Sequence, residues 1–426
     1  MHTEHLKTHG MGWGWTSGIM PDRPNTLAGV DRRFVGYWEK NYIPITLMFE
    51  RDIPEFDQRL VACMRKWLDN PKSRFRARLT TDETVYTYDT RSTDDLLPLF
   101  VRRVTRVGDK ASDDHILSLL RGTGQASLLC YSNSGMTMCG NHQFFDGVSS
   151  FGYFREIFDG GEELFRQQTV YPYYPMVTEM SLVRSVRHVV HQYTRQLRYG
   201  PDWQTSEHGD CIQSKLPLAL IKDVKRRATE ASDEKISFSS AYIARVLIDL
   251  SASLVVTTKK LVVGVLVAFD PSKRFNNYGI IRFEIQCPTK DTPVVDLTVE
   301  IQRELMRNRD MAPMTFYLGT LDVPVLSDAC LDFGSQDILF SGLPLTAPDT
   351  PLLVNGVRLH STRQFLDYST SPVYCMYLSC DQYVHTTISL RSPDVDTHLF
   401  SRNLNKYGVR RSIVDMVLGW NMMLRG

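Results

Sequence analysis

The sequence predicts an α/β protein built from two halves, each with a mixed β-sheet. Three observations lead to this prediction. The chain has 426 residues, more than one hydrophobic core usually supports. Short apolar runs that resemble strands alternate with stretches in which apolar residues recur every three or four positions, as on one face of a helix. A region at about 160–212, with paired glycines and an aromatic-proline run, interrupts this alternation.

The first half is taken as 1–180 and opens with an irregular lead-in over 1–30, where glycines and prolines are frequent. A helix at about 54–68 is predicted by its apolar spacing, and Asn70-Pro71 ends it. The other elements predicted in this half are strands at 45–49, 74–79, 84–88, 127–131 and 136–140 and helices at 94–106, 113–120 and from 147 onward.

The second half is taken as 181–426 and begins with a basic helix at about 183–197 that belongs to the crossover between the halves. Its core is predicted from a strongly apolar helix and a run of buried strands. The elements predicted here are helices at 216–231, 237–250 and 409–423 and strands at 261–269, 280–286, 337–340, 373–379 and 383–390.

Charge and composition restrict the classes of function. The 49 Lys and Arg residues balance 48 Asp and Glu, so no basic excess favours nucleic acid or an anionic membrane as a partner. The longest apolar run, 261–269, is too short to span a bilayer, and the N-terminus has no apolar signal region. Eight cysteines without a Cys-x-x-Cys pair disfavour a disulfide scaffold. We expect a soluble, monomeric, cytoplasmic protein.

The most informative motif is His142-Gln-Phe-Phe-Asp146-Gly147. A histidine ends a predicted strand, a carboxylate follows four residues later, and a glycine turns the chain into a helix. An imidazole titrates near pKa ~6.5, so it accepts a proton from a hydroxyl or amine that attacks an activated carbonyl. The alternative is a structural histidine that happens to precede an Asp-Gly turn.

At this motif the chain resembles the acyltransferases with a chloramphenicol-acetyltransferase-like fold, which carry His-x-x-x-Asp-Gly at a strand-to-helix junction. They include the plant and fungal BAHD enzymes, the polyketide-associated acyltransferases and the condensation domains of peptide synthetases. The BAHD type is the closest subgroup, because Leu331-Asp-Phe-Gly334 resembles the start of its Asp-Phe-Gly-Trp-Gly signature. Two departures are Ser335-Gln336 in place of Trp-Gly and Asn141 in place of the first histidine of condensation domains.

The resemblance implies roles for individual residues. His142 is the general base in a tunnel between the two halves. Asp146 turns away from the site and pairs with an arginine, for which Arg274 is the candidate, although Asp146 as the orienting member of a triad remains an alternative. Gly147 allows the turn, and Thr320 is a candidate oxyanion or acyl contact.

The resemblance also implies the co-substrates. The leading hypothesis is transfer from acyl-coenzyme A to a hydroxyl or amine of a small molecule in secondary metabolism, with no permanently bound cofactor. One alternative takes the acyl group from an acyl carrier protein's phosphopantetheine arm, and another is a non-catalytic binding module. His188 and His191 lack a third ligand, so no metal site is predicted. Lys222 and the basic residues after it either contact coenzyme A phosphates or form a solvated face.

Overall fold

A computed structural model describes most of the chain: residues 42–79, 86–123, 125–142, 144–145, 147–161, 209–268, 278–309, 336–344, 350–364 and 371–406, with isolated positions at 183, 187 and 190. Its helices are α1 (Phe56–Asp69), α2 (Thr93–Phe100), α3 (Lys110–Thr123), α4 (Gly147–Ile157), α5 (Leu218–Ser232), α6 (Phe238–Ser251) and α7 (Val294–Arg307). Residues 397–406 are also helical.

The strands form two six-stranded sheets and one short pair. They are β1 (Tyr42–Phe49), β2 (Ala77–Leu79), β3 (Tyr86–Tyr88), β4 (Val101–Arg103), β5 (Ser127–Ser132), β6 (Gly135–Asn141), β7 (Asp210–Pro217), β8 (Lys260–Ala268), β9 (Tyr278–Gln286), β10 (Ile338–Pro344), β11 (Leu353–Val354), β12 (Val357–Gln364), β13 (Val373–Cys380) and β14 (Tyr383–Leu390).

The first sheet has the order β11-β12-β1-β6-β5-β4 and contains strands from both halves of the sequence. Strand β12 comes from the second half yet pairs antiparallel with β1 from the first. Helix α3 packs on one face of this sheet, against Leu128 and Cys139. Helices α1, α2 and α4 pack on the other face, which also meets the second sheet. The two halves are therefore interlocked.

The second sheet has the order β7-β14-β13-β10-β8-β9 and is mixed, with β10 parallel to both β13 and β8. Strand β13 shows how its two faces differ. Val373, Cys375 and Tyr377 pack with α5, α6 and α7, whereas Tyr374 and Met376 join the hydrophobic cluster of the first half. We call the face that carries Tyr374 and Met376 the inner face. It brings the second sheet against the first half of the protein.

The predicted α/β fold with mixed sheets is confirmed, and several element predictions need correction. The helix predicted at 94–106 ends at Phe100, because β4 follows as a parallel partner of β5. The helix predicted from 216 begins at Leu218, since 210–217 form β7 beside β14. The strand predicted at 74–79 starts with a 3₁₀ turn. Helix α7 and strands β11 and β12 were not predicted.

Other predictions fall outside the described residues. These are the lead-in over 1–30, nearly all of the crossover at 160–212 with the boundary near 180, and the closing helix at 409–423. Within the described part of the chain, no helix is long and apolar enough to cross a membrane.

Candidate active site

Strand β6 carries His142 directly beyond its last residue. All seven residues of this strand are buried, because it lies between β1 and β5 in the middle of the first sheet. At its end, Asn141 pairs with Tyr42 on one side, and its amide donates to the Ala126 carbonyl at 2.7 Å on the other. The backbone that leads into His142 is therefore held from both sides.

A tight turn follows this strand end. The Asn141 carbonyl accepts hydrogen bonds from the amides of Phe144 at 3.0 Å and Phe145 at 2.9 Å. His142 is the second residue of this turn and is half-buried. Helix α4 begins at Gly147, five residues after the histidine. This strand, turn and helix match the strand-to-helix junction that the sequence predicts.

The phenylalanines of the motif anchor the turn. Phe144 and Phe145 are both buried in the cluster shared by the two sheets. The Phe145 ring lies 5.0 Å from that of Phe75 and 6.1 Å from that of Tyr153. A Cβ added at Gly140 would stand 2.8 Å from the Phe145 Cβ, so only glycine allows this approach. The turn is fixed by close packing as well as by backbone hydrogen bonds.

Helix α4 is fixed along its length. Glu156 accepts a hydrogen bond from Trp67 Nε1 at 3.0 Å and forms an ion pair with Lys66 at 3.0 Å. Beyond the helix, the Asp159 carboxylate accepts from the amides of Asn355 at 3.1 Å and Gly356 at 2.9 Å. These two residues form the turn between β11 and β12, both with positive φ. The N-terminal end of α4 thus follows the turn that carries His142, and the loop after its C-terminal end binds the β11–β12 hairpin.

The structure describes two of the five predicted site residues: His142 lies in the turn after β6, and Gly147 begins α4. Asp146, Arg274 and Thr320 lie outside the described residues, as does 331–334.

Arg76 of the arginine-rich segment 74–78 has a structural role. Its guanidinium donates to the carbonyls of Leu68 at 2.6 Å and Arg91 at 2.7 Å. It therefore ties the end of α1 to the loop before α2.

A buried polar group that the sequence did not predict lies on the inner face of the second sheet. Arg282 of β9 is only 1 % exposed, and its Nε donates to Gln336 Oε1 at 3.0 Å. Gln336 Nε2 in turn donates to Ser371 Oγ at 2.7 Å. Gly264 makes room, because a Cβ there would lie 2.9 Å from Gln336 Cγ. Two signals pointed to this group: an arginine within an apolar strand, and Gln336 at a departure from the BAHD signature.

Two arginines of α5 form ion pairs within their own helix. Arg226 forms ion pairs with Asp223 and Glu230, and Arg227 pairs with Asp223. All of these side chains are about half exposed or more. Exposed ion pairs within one helix are typical of a helix face that is in contact with solvent.

His188 and His191 lie outside the described residues. Among the described residues there is no group of three His, Cys, Asp or Glu side chains that could hold a metal ion.

Comparison with solved structures places the fold. The trichothecene 15-O-acetyltransferase TRI3 from Fusarium sporotrichioides is similar with a TM-score of 0.60 at 10 % identity, over 89 % of this chain and 94 % of that one. The first condensation domain of the calcium-dependent antibiotic synthetase gives 0.56 at 13 % identity, over 89 % and 95 %. The epimerization domain of the third module of tyrocidine synthetase B gives 0.55 at 11 % identity, over 92 % and 97 %.

The chain therefore has the two-lobed fold shared by these acyltransferases and peptide-synthetase domains, as the sequence motif led us to expect. No family model matches the sequence, and no curated protein matches it either.

Proposed function

We propose that the protein is an acyltransferase in which His142 is the general base. The observation that carries the proposal is the fixed turn at the end of β6, which presents a half-buried imidazole beside the hydrophobic cluster shared by both sheets. A catalytic base has to be held in a defined geometry, since small displacements from the reacting atoms slow the reaction steeply. The match in fold to a solved acetyltransferase supports the same reading.

The proposed reaction moves one acyl group and conserves protons. The acceptor hydroxyl or amine gives its proton to the His142 imidazole as its oxygen or nitrogen bonds to the thioester carbonyl carbon. The carbonyl becomes an oxyanion, which needs a hydrogen-bond donor, and Thr320 is our candidate. When the oxyanion collapses, the carbon–sulfur bond breaks and the imidazolium protonates the thiolate. The products are an ester or amide and a free thiol.

Asp146 and Gly147 support this turn in the proposal, with Arg274 as the partner of the Asp146 carboxylate. The donor is acyl-coenzyme A, used as a substrate and released as the thiol. The second candidate donor is an acyl group on a carrier protein, and the similarity in fold to a condensation domain favours it specifically. In both cases the acceptor is a small molecule in the cytoplasm.

The test measures the rate at which free thiol is released from acetyl-coenzyme A and from an acetylated carrier protein. In both assays water takes the place of the natural acceptor and reacts slowly. His142→Ala should lower this rate by about a hundredfold or more, because general-base catalysis contributes about 10²–10⁴, while the melting temperature stays close to wild type. Release from the carrier alone would select the second donor. A variant that keeps the wild-type rate would remove His142 from the mechanism, and no release from either donor would favour a non-catalytic binding module.

A further inference from the structure

Two polar side chains of strand β12 each have a buried atom without a hydrogen-bond partner among the residues that the structure describes. Thr362 is 6 % exposed and Gln364 is 4 % exposed. Neither Thr362 Oγ1 nor Gln364 Nε2 forms a hydrogen bond with any residue that the structure describes. A buried polar group without a partner costs free energy, so most such groups in native proteins are paired. Two on one strand therefore point to a partner that the described part of the chain does not supply.

These side chains share the face of the first sheet that meets the second sheet. Thr362 pairs with Leu47 and Gln364 with Ile45, and both of those apolar residues belong to the cluster shared by the two sheets. Across this boundary the backbone N–H of Gln364 donates to Thr387 Oγ1 of β14 at 3.3 Å. Lys215 Nζ of β7 donates to the His360 carbonyl of β12 at 2.9 Å. We call the boundary between β12 and β14 the seam.

The seam lies within reach of His142. Gln364, Ile45 and Met138 form one row across β12, β1 and β6, and His142 follows Met138 by four residues along β6. With strands about 4.8 Å apart and a rise of about 3.3 Å per residue, ideal strand geometry places the backbones of Gln364 and His142 about 16 Å apart. A molecule that extends over this distance contacts the seam with one end and the histidine with the other.

Next to Thr362 and Gln364 the seam offers neutral hydrogen-bonding groups, whereas the Lys215 ammonium lies further along β12, at His360. The Lys215 ammonium is engaged by the His360 carbonyl and lies 4.1 Å from the centre of the Tyr383 ring. Arg363 points to the opposite face of β12, where it forms a 2.6 Å ion pair with Asp113. His385 of β14 faces the seam, and burial lowers the pKa of its imidazole to about 3, so that it stays neutral. A hydroxyl or carbonyl group suits such a surface, and a carboxylate or phosphate does not.

We propose that the seam is the subsite for the far end of the acceptor, and that it selects a neutral molecule with a hydroxyl or carbonyl group about 16 Å from the group that is acylated. This inference rests on the proposed acyl transfer. Because Thr362 and Gln364 are unsatisfied in the closed seam, separating β12 from β14 costs less there than at the apolar contacts beside it. A bound acceptor then supplies the missing partners.

The first test is thermodynamic and needs no substrate. Gln364→Leu removes a side-chain amide whose Nε2 is unpaired among the described residues, so the melting temperature should stay the same or rise. Gln302→Leu is the matched control, because Gln302 is equally buried but its Oε1 accepts from the Ser237 amide at 2.9 Å and from Ser240 Oγ at 2.8 Å. This control should melt at a lower temperature. A similar loss of stability in Gln364→Leu would show that its amide is bonded within the protein and would overturn the proposal.

The second test uses three ten-carbon alcohols as acceptors with acetyl-coenzyme A or the acetylated carrier protein. The wild-type protein should prefer 1,10-decanediol over 1-decanol by roughly tenfold in kcat/KM, which corresponds to about one additional hydrogen bond. It should use 10-hydroxydecanoate least. Gln364→Leu should reduce the ratio of diol to decanol to about one, whereas Gln302→Leu should keep it. Three results would overturn the proposed subsite: the wild-type protein uses the diol and decanol equally, it prefers the carboxylate, or it acylates none of the three. The proposed function has a separate test, which is thiol release with water as the acceptor and the loss of that release in His142→Ala.

Discussion

The contact between Gly140 and Phe145 determines where the His142 turn lies. Gly140 is the last glycine before the turn, and Phe145 fills the space that a side chain at this position would occupy. The Phe145 ring is in turn held by Phe75 and Tyr153. Since neither neighbour is at the surface, Phe145 has little room to move aside.

Gly140→Ala should therefore lower both stability and activity. The added methyl group forces the turn to shift, at a cost of about 1–3 kcal/mol in the free energy of unfolding, and the displaced imidazole should lose roughly a hundredfold in kcat. Gly152→Ala in α4 is the matched control, because a Cβ there meets nothing within 4 Å and alanine favours a helix. Denaturant unfolding and thiol release measure both effects. Equal behaviour of the two variants would contradict the packing argument.

Asp113 makes a buried ion pair whose stability depends on pH. The carboxylate is 2.6 Å from Arg363, and its Oδ1 has no hydrogen-bond partner among the described residues. Burial raises its pKa from 3.8 to about 6, while Arg363 and, more weakly, Lys110 act in the opposite direction. The nearby Asp114 and Asp109 raise the pKa further.

The folded protein should therefore bind a proton at Asp113 between about pH 4 and pH 6, where the unfolded chain does not. This contribution to the free energy of unfolding is complete below about pH 4 and is lost as the pH rises through 6. The difference between wild type and Asp113→Asn should change by about 1–3 kcal/mol between pH 4 and pH 7. Urea unfolding at several pH values measures it. A pH-independent difference would show that Asp113 stays ionised throughout.

At the scale of elements, the loop after α4 fastens the hairpin β11–β12 to the first half. Asp159 accepts both hairpin-turn amides and forms a 3.0 Å ion pair with Arg59. Arg59 also donates to Asn355 Oδ1 at 2.9 Å. The hairpin belongs to the second half of the chain, so this contact joins the helix that follows the His142 turn to strand β12.

Asp159→Ala should release the hairpin turn without unfolding the protein. Loss of two amide hydrogen bonds to a charged group should cost about 1–3 kcal/mol, and the amides of Asn355 and Gly356 should exchange faster with deuterated solvent. Asp223→Ala is the control, since Asp223 pairs with Arg226 and Arg227 on the surface of α5, where such pairs contribute little. Unchanged exchange at the hairpin would mean that the strand pairing alone holds it.

Sequence patterns predicted elements well where the signal is local. The buried strands β6, β8 and β13 and the helix α6 were found from their apolar runs. Strand β12 was missed because its sequence mixes Arg358, His360 and Arg363 with apolar residues, and its burial depends on a pairing with β1 that lies some 300 residues away in sequence. The same limit applies to the site. The motif predicted the turn at His142, whereas the contact between Arg282 and Gln336 could be recognised only when the inner face of the second sheet was known.

At the scale of the whole molecule, the two halves are not independent units. The first sheet needs β12 from the second half to cover the edge of β1, and one hydrophobic cluster contains Leu47 and Phe145 together with Leu339 and Tyr374. Separating the halves would expose this cluster and leave a long apolar strand edge unpaired, which favours aggregation.

The fragment 1–180 should therefore fail to fold alone. We expect it to be aggregated or to lack a cooperative thermal transition, because β1 has lost its neighbour and the shared cluster has lost its inner-face residues. Adding a peptide of residues 350–366 should restore the β12 pairing but not the covering sheet, so it should improve solubility only in part. Coexpression with the fragment 181–426 should restore both solubility and thiol release. A monomeric fragment 1–180 with a cooperative melt would show that the first half has a sufficient core of its own, and the active site would then form by docking of two folded domains.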